Sequence, residues 1–203
     1  MTDEKIVSEF RRVMREEARA VEKAAEYVDE ENILRVVKLL AECRGRAVVA
    51  GCGTSGVAAK KIVHELCCVG CPASFLSPAD AVHGGMGVLR PEDVLILVSK
   101  GGGTRELTPL AAQGKAIGAK LVAVTENARS VIGCAADAVL LLHTDSEPDP
   151  FNMLATASIL SAIAAFDAVC ICLMQIKGYK KEQFAIIHPS GAVGERLLSG
   201  KEQ

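Results

Sequence analysis

The sequence predicts an α/β protein with a doubly wound, five-stranded parallel sheet preceded by N-terminal helices. Three observations point to it. From about Arg46 onward, apolar runs of strand length alternate with segments of helical period, which is the pattern of βαβ units. The runs are almost continuously apolar, as strands covered on both faces are. Two glycine-rich turns each join such a run to a helix, at the junction where open α/β sheets carry their ligands.

Residues 1–44 read as a helical segment packing on a domain formed by residues 45–203. Ile6, Phe10, Val13 and Met14 recur at helical spacing, as do Ile33, Val36, Val37 and Leu40. Asp29-Glu30-Glu31-Asn32 separates two helices, with Asn32 as the expected N-cap. Strands are expected near Arg46–Gly51, Ala73–Leu76, Asp93–Ser99, Lys120–Thr125 and Ala138–Leu142. Helices are expected near Ser55–Val69, Thr104–Ile117, Ser130–Ala135 and Phe151–Lys177, with a short one near Lys180–Ile187. Gly178 follows Lys177 and ends the long helix.

The first glycine turn is Gly51-Cys52-Gly53-Thr54-Ser55-Gly56 and the second is Ser99-Lys100-Gly101-Gly102-Gly103-Thr104, opening a helix at Arg105-Glu106-Leu107. Glycine lets backbone N–H groups converge where a Cβ would obstruct them, and an adjoining helix N-terminus favours an anion. Two such turns with hydroxyls inside indicate a phosphorylated small molecule. A dinucleotide fits less well: the first turn satisfies G-x-G-x-x-G, but no good acidic residue ends the second strand.

Composition narrows the alternatives. A net charge of −2, aromatic content of 3% and the absence of Trp leave neither a basic footprint nor stacking platforms, so no nucleic-acid partner is expected. The apolar stretch Ile159 to Ile176 is interrupted by Ser161, Asp167 and Gln175, which suits a buried core helix better than a membrane span. The charged start, Met1-Thr2-Asp3-Glu4-Lys5, has no signal-peptide core, and a cytoplasmic protein with no membrane partner is expected. Of eight cysteines, Cys67, Cys68, Cys134, Cys170 and Cys172 lie in apolar segments and are expected to act as buried hydrophobes. His64-x-x-Cys67-Cys68-x-x-Cys71 offers potential metal ligands, but no second pair stands at zinc spacing, so no metal is assigned.

From about Arg46 to Leu198 the chain resembles the sugar isomerase (SIS) domain, most closely its arabinose-5-phosphate isomerase branch. The resemblance is carried by the two glycine turns, by Pro78-Ala79-Asp80-Ala81-Val82-His83-Gly84, and by His188-Pro189-Ser190-Gly191-Ala192-Val193-Gly194-Glu195-Arg196-Leu197-Leu198. It implies a flavodoxin-like fold and aldose–ketose isomerisation of a sugar phosphate through an enediol(ate), without metal or other cofactor. It also implies a homodimer or homotetramer whose active sites are shared between subunits. Many full-length members continue into paired regulatory CBS domains, and this chain stops where those would begin.

The same resemblance assigns residues. His83 and His188 match active-site histidines, and Glu147 matches an active-site carboxylate. Ser55, Ser99 and Thr104 match hydroxyls that hold phosphate or sugar oxygens, joined in the binding set by Thr54, Lys100 and the Gly101, Gly102 and Gly103 amides. Each position has a plainer alternative. His83 also fits a helix-end cap beside Gly84, His188 a turn residue before Pro189, Glu147 a solvated acidic loop, and Ser55 and Thr104 helix caps. His64 and His143 read as structural.

Two departures stand out. Members usually carry lysine where this chain has Thr54. Their second turn usually reads Ser-x-Ser-Gly-Glu-Thr, where this chain has Gly101 for the second serine and Gly103 for the glutamate. Lys100 is a candidate to replace part of the missing charge, since both loops should share one sheet edge. A non-catalytic phosphosugar sensor, another SIS chemistry such as hexulose-phosphate isomerisation or phosphosugar lyase activity, and an interaction module built on the N-terminal helices remain as alternatives.

Overall fold

The computed structural model describes residues 1–27, 29–190 and 194. Helices α1 (Asp3–Tyr27) and α2 (Glu30–Ala41) precede a run of β1 (Ala47–Gly51), α3 (Gly53–Cys68), β2 (Ala73–Phe75) and α4 (Pro78–Ala81). After a 3-10 turn at Gly85–Val88 come β3 (Val94–Val98), α5 (Thr108–Ile117), β4 (Lys120–Thr125), α6 (Val131–Ala135) and β5 (Ala138–Leu141). The described elements close with α7 (Ala157–Ile176) and α8 (Lys181–Ile187).

All strand pairs are parallel, in the order β2-β1-β3-β4-β5. The doubly wound fold is therefore as expected, and its strand order reverses between β1 and β3. Strand residues divide between two cores because successive side chains point to opposite faces. Val49, Ile96, Val122 and Leu140 pack with Val37, Ile62, Leu66, Phe166 and Leu173, from α2, α3 and α7. Val48, Leu95, Leu97 and Leu121 pack with Leu107, Leu110, Ile132 and Met86 on the other face.

Several boundaries differ from the sequence expectation, each for a local reason. The N-cap of α2 is Asp29, not Asn32: its carboxylate accepts from the Glu31 and Asn32 amides at 2.9 and 3.4 Å. The Asn32 side-chain oxygen accepts instead from the Val139 amide at 3.3 Å, tying α2 to the edge strand. The long helix starts at Ala157 rather than Phe151, because Asp149 accepts from the Phe151, Met153 and Leu154 amides and holds that stretch in a non-helical loop. Helix α5 starts at Thr108; Thr104 to Leu107 form a preceding turn in which the Thr104 carbonyl accepts from the Leu107 and Thr108 amides. Gly178, at φ +57°, ends α7 as expected. Helix α4 and the 3-10 turn are not foreseen.

The cysteine expectation holds for Cys170, which is buried, but Cys67, Cys134 and Cys172 are exposed, and all eight thiols are free. His64 and Cys67 lie on the exposed side of α3 rather than in the core. Helix α7 is long and apolar enough to cross a membrane by length and composition, and its Phe166, Val169, Cys170 and Leu173 are buried against α2, α3 and the sheet.

The first glycine turn depends on backbone contact. A Cβ on Gly56 would lie 2.8 Å from the Gly51 carbonyl oxygen, and one on Gly51 would lie 2.6 Å from the Ser55 carbonyl oxygen. Strand end and helix start therefore touch main chain to main chain. Gly56→Ala should cost about 1–3 kcal/mol of stability, the range for overpacking against atoms that cannot move aside. Urea unfolding followed by circular dichroism measures it, and an unchanged midpoint would contradict this account of the turn.

Candidate active site

Both glycine turns emerge at the carboxyl ends of adjacent parallel strands, Gly51↔Val98 being the last matched pair of β1 and β3. This is the point of strand-order reversal, where crossovers leave in opposite directions and a crevice opens. Helix α3 begins there without a side-chain cap: Cys52 is its N-cap and makes no capping hydrogen bond. Its first intrahelical bond is from the Gly56 amide to the Cys52 carbonyl at 3.1 Å, so the amides of Gly53, Thr54 and Ser55 precede the helical ladder. Ser55 thus sits within the first helical turn, not at the capping position, and Thr104 likewise precedes α5 without capping it.

The second turn is held from within. Ser99 is buried, its amide donates to the Val124 carbonyl at 3.0 Å, and its hydroxyl accepts from the Gly102 amide at 3.1 Å. The Ser99 and Thr104 hydroxyls lie 2.7 Å apart. Gly102 adopts φ +63°, and a Cβ there would come within 1.9 Å of the Ser130 hydroxyl, so only glycine fits. Gly101 and Gly103 are different. A Cβ at either meets nothing within 4 Å, and among the described residues the amides of Gly101, Gly103 and Thr104 have no hydrogen-bond partner. Open space bordered by unpaired amides and paired hydroxyls suits an anion.

Lys100 is anchored at its backbone, where the Thr125 hydroxyl and the Glu126 amide donate to its carbonyl at 2.9 and 2.8 Å. Its ammonium donates to Glu147 Oε1 at 2.7 Å. Glu147 is buried, not solvated, although its loop is acidic. The Ser158 hydroxyl also donates to its Oε1, and the Thr156 and Ser158 amides donate to Oε2 at 2.9 and 3.3 Å. Burial by itself pushes this carboxyl upward, but the Lys100 ammonium and the three donors at the start of α7 outweigh it and hold it below the ordinary carboxylate value. Lys100, Ser55, Thr125 and Ser158 all line one small cavity of about 40 Å³.

His83 is exposed on the loop that follows β2 and α4, on the same sheet edge. His188 is elsewhere. Its ring stacks on Phe184 with centroids 3.9 Å apart, and its Nε2 lies 3.6 Å from the thiol of Cys68, the last residue of α3. A helix of that length puts His188 about 20 Å from the first glycine turn of its own chain. Of the motif that follows His188, Gly191 to Val193 and Glu195 to Leu198 lie outside the described residues. Thr125, Thr156 and Ser158 are not among the residues the sequence singles out. Thr125 ends a strand at this edge, as Ser99 nearly does, and that position marks it; Ser158 meets Glu147 only through the fold of the intervening loop.

A parallel sheet of this order with paired glycine turns at its switch point defines a doubly wound α/β domain, and the SIS domain model matches residues 39–172. The chain belongs to the SIS domain family. It is 34% identical over 197 residues to the arabinose 5-phosphate isomerase KpsF of Escherichia coli O6:H1, covering 97% of this chain and 60% of that protein. It is 36% identical over 169 residues to the arabinose 5-phosphate isomerase GutQ of Escherichia coli K12, covering 83% of this chain and 53% of that protein. The chain thus spans somewhat more than half the length of these curated relatives. Among solved structures, a Listeria monocytogenes protein for which a sugar-phosphate isomerase role has been proposed superimposes with a TM-score of 0.92 at 52% identity, covering 94% of this chain and 100% of that one. An Escherichia coli CFT073 protein solved in complex with arabinose 5-phosphate superimposes with a TM-score of 0.89 at 27% identity, covering 93% of this chain and 100% of that one.

The state of Glu147 has a measurable consequence. A carboxyl held below its ordinary value of 4.5 contributes stability that is complete above that value and is lost as the pH falls through the lowered one. Urea midpoints of the wild type and of Glu147→Gln should differ most near neutrality and converge as the pH falls below 4.5 and through the lowered value. A gap independent of pH would mean that the charge of Glu147 contributes nothing to folding.

Proposed function

We propose that this chain is a sugar-phosphate aldose–ketose isomerase of the arabinose-5-phosphate type, acting through an enediolate. The observation that carries the reading is the pair of glycine turns at one switch point, with an uncapped helix, unpaired amides and the Ser99–Thr104 hydroxyl pair. The activity of the arabinose 5-phosphate isomerase relatives and the neighbour solved with arabinose 5-phosphate support it. In this reading Thr54, Ser55, Ser99, Thr104 and the Gly101–Gly103 amides hold the phosphate. A base removes the proton from C2 of the open-chain aldose and the electron pair moves into an enediolate with charge on O1; O1 then gains a proton as O2 loses one, and return of the first proton to C1 leaves the carbonyl at C2 of the ketose. His83 and His188 are the proton carriers, because an imidazole ring presents one nitrogen that can accept a proton and another that can donate one. Glu147, the third candidate in this role, has all its acceptor positions occupied by donors and is assigned no proton transfer.

The same proposal has His188 serve a neighbouring subunit's site. Its distance from the turns of its own chain supports that. So does apolar surface left uncovered on α1 (Ile6, Val7, Phe10 and Met14) and on α7 (Ile171 and Ile176), which a homo-oligomer would bury. A cytoplasmic location belongs to this reading, in keeping with the packing of α7 on the sheet core. The sensor alternative rests on Thr54 and Gly103, and turnover separates the two.

A thermal-shift panel of aldose and ketose phosphates, followed by turnover of arabinose 5-phosphate, tests the whole reading. Stabilisation without turnover leaves the sensor, and no stabilisation removes both. Thr104→Asp should lower sugar-phosphate affinity at least about 100-fold, since like charges in contact cost several kcal/mol, with the fold intact by circular dichroism. Unchanged affinity would exclude the second turn as the phosphate site. Mixing inactive His188→Ala with inactive Thr104→Asp should restore partial turnover in mixed oligomers. If subunits exchange and no activity returns, the shared-site assignment fails.

A further inference from the structure

Lys100 and Glu147 are usually the kind of pair in which the acid would be assigned the chemistry. Their surroundings assign it the other way. A carboxylate offers about four acceptor positions, and Glu147 has four donors: Lys100 Nζ and the Ser158 hydroxyl on Oε1, and the Thr156 and Ser158 amides on Oε2. Its side chain is 2% exposed. Nothing is left on it to receive a substrate proton. The lysine is the reverse case. An ammonium has three N–H groups, Glu147 takes one, and the side chain is 42% exposed. The two ends of Lys100 are both fixed, the carbonyl by Thr125 and Glu126 and the ammonium by a buried anion. What remains free is part of a cation on a side chain that lines the small cavity it shares with Ser55 and Ser158, between the two glycine turns and the start of α7.

We propose that Lys100 is a catalytic residue of this site, donating to the sugar O1 as it becomes negative in the enediolate, and that Glu147 is a positioning residue that aims it. This rests on the isomerase reading above. The phosphate has its own neutral donors in the second turn, whereas the ammonium projects away from that turn toward α7. A preoriented charge acts most strongly on the charge that develops during the reaction. No net proton leaves Lys100 or Glu147 in this step; the C2 proton goes to the separate base and returns to C1, and the O2 proton passes to O1.

The test uses the full chain with arabinose 5-phosphate for turnover and a pentitol 5-phosphate, which lacks the carbonyl, for binding by calorimetry. Absence of turnover by the wild type sinks the isomerase reading itself, before any variant is compared. With an active wild type, Lys100→Met should lower kcat at least about 100-fold while the Kd for the pentitol phosphate stays within about threefold. Lys100→Arg, which keeps the charge and the partner, should recover at least about tenfold of that loss. Glu147→Gln should keep measurable turnover, with kcat lowered about tenfold and the acid limb of the kcat/KM profile in its wild-type position. The assignment is overturned if Lys100→Met leaves kcat unchanged, or if it weakens the pentitol phosphate as much as it lowers kcat/KM. It is equally overturned if a folded Glu147→Gln protein has no turnover or loses the acid limb. If Glu147→Gln does not fold, the comparison of Lys100→Met with Lys100→Arg decides alone.

Discussion

The parallel pairing of β1 with β3, Ala47 to Gly51 against Val94 to Val98, sets the two glycine turns side by side. Each turn separately is a common strand-to-helix junction with a few polar amides. Side by side at the reversal of strand order, they border one crevice, and the chain has no other place where two such junctions meet among the described elements. The pairing is secured by burial on both faces: Val49 and Ile96 enter one core, Val48, Leu95 and Leu97 the other. The crevice is therefore a by-product of hydrophobic packing.

Onto that edge the structure fastens a loop that has little regular structure of its own. Residues between β5 and α7 are fixed by Asp149, which binds three backbone amides, and by Glu147, which joins the loop to the second glycine turn through Lys100. Helix α1 reaches the same loop from outside, with Arg12 donating to the Pro148 carbonyl at 2.7 Å and Lys23 pairing with Asp145. The N-terminal helix thus has two jobs. Its Ala20 and Ala24 are buried, and its Arg12 and Lys23 steady the loop that carries Glu147.

The departures from the usual family turns acquire a physical sense in this setting. Gly101 and Gly103 leave space that the protein does not fill, so the absence of side chains there opens the turn rather than collapsing it. Thr54 is exposed at the start of α3 and brings no charge. The cation of the site instead stands on the second turn, at Lys100, braced by a carboxylate from the far side of the crevice.

By itself the sequence determined the sheet. Continuous apolar runs at Ala47 to Gly51, Val94 to Val98 and Leu121 to Thr125 could be strands buried on both faces and little else, and the glycine turns marked the edge where a ligand would sit. Capping and loops were less legible, since Asp29 and Asn32, or Phe151 and Ala157, differ only in which polar side chain captures a given amide, and many local choices are nearly equal in energy. The partners of Glu147, the burial that makes it an anchor, and the removal of His188 to the far end of α3 were decided by the tertiary structure alone. Those relations join residues far apart in sequence. Periodicity and spacing report the local backbone and the faces it presents, but the environment of an ionisable side chain is set by what other segments place around it.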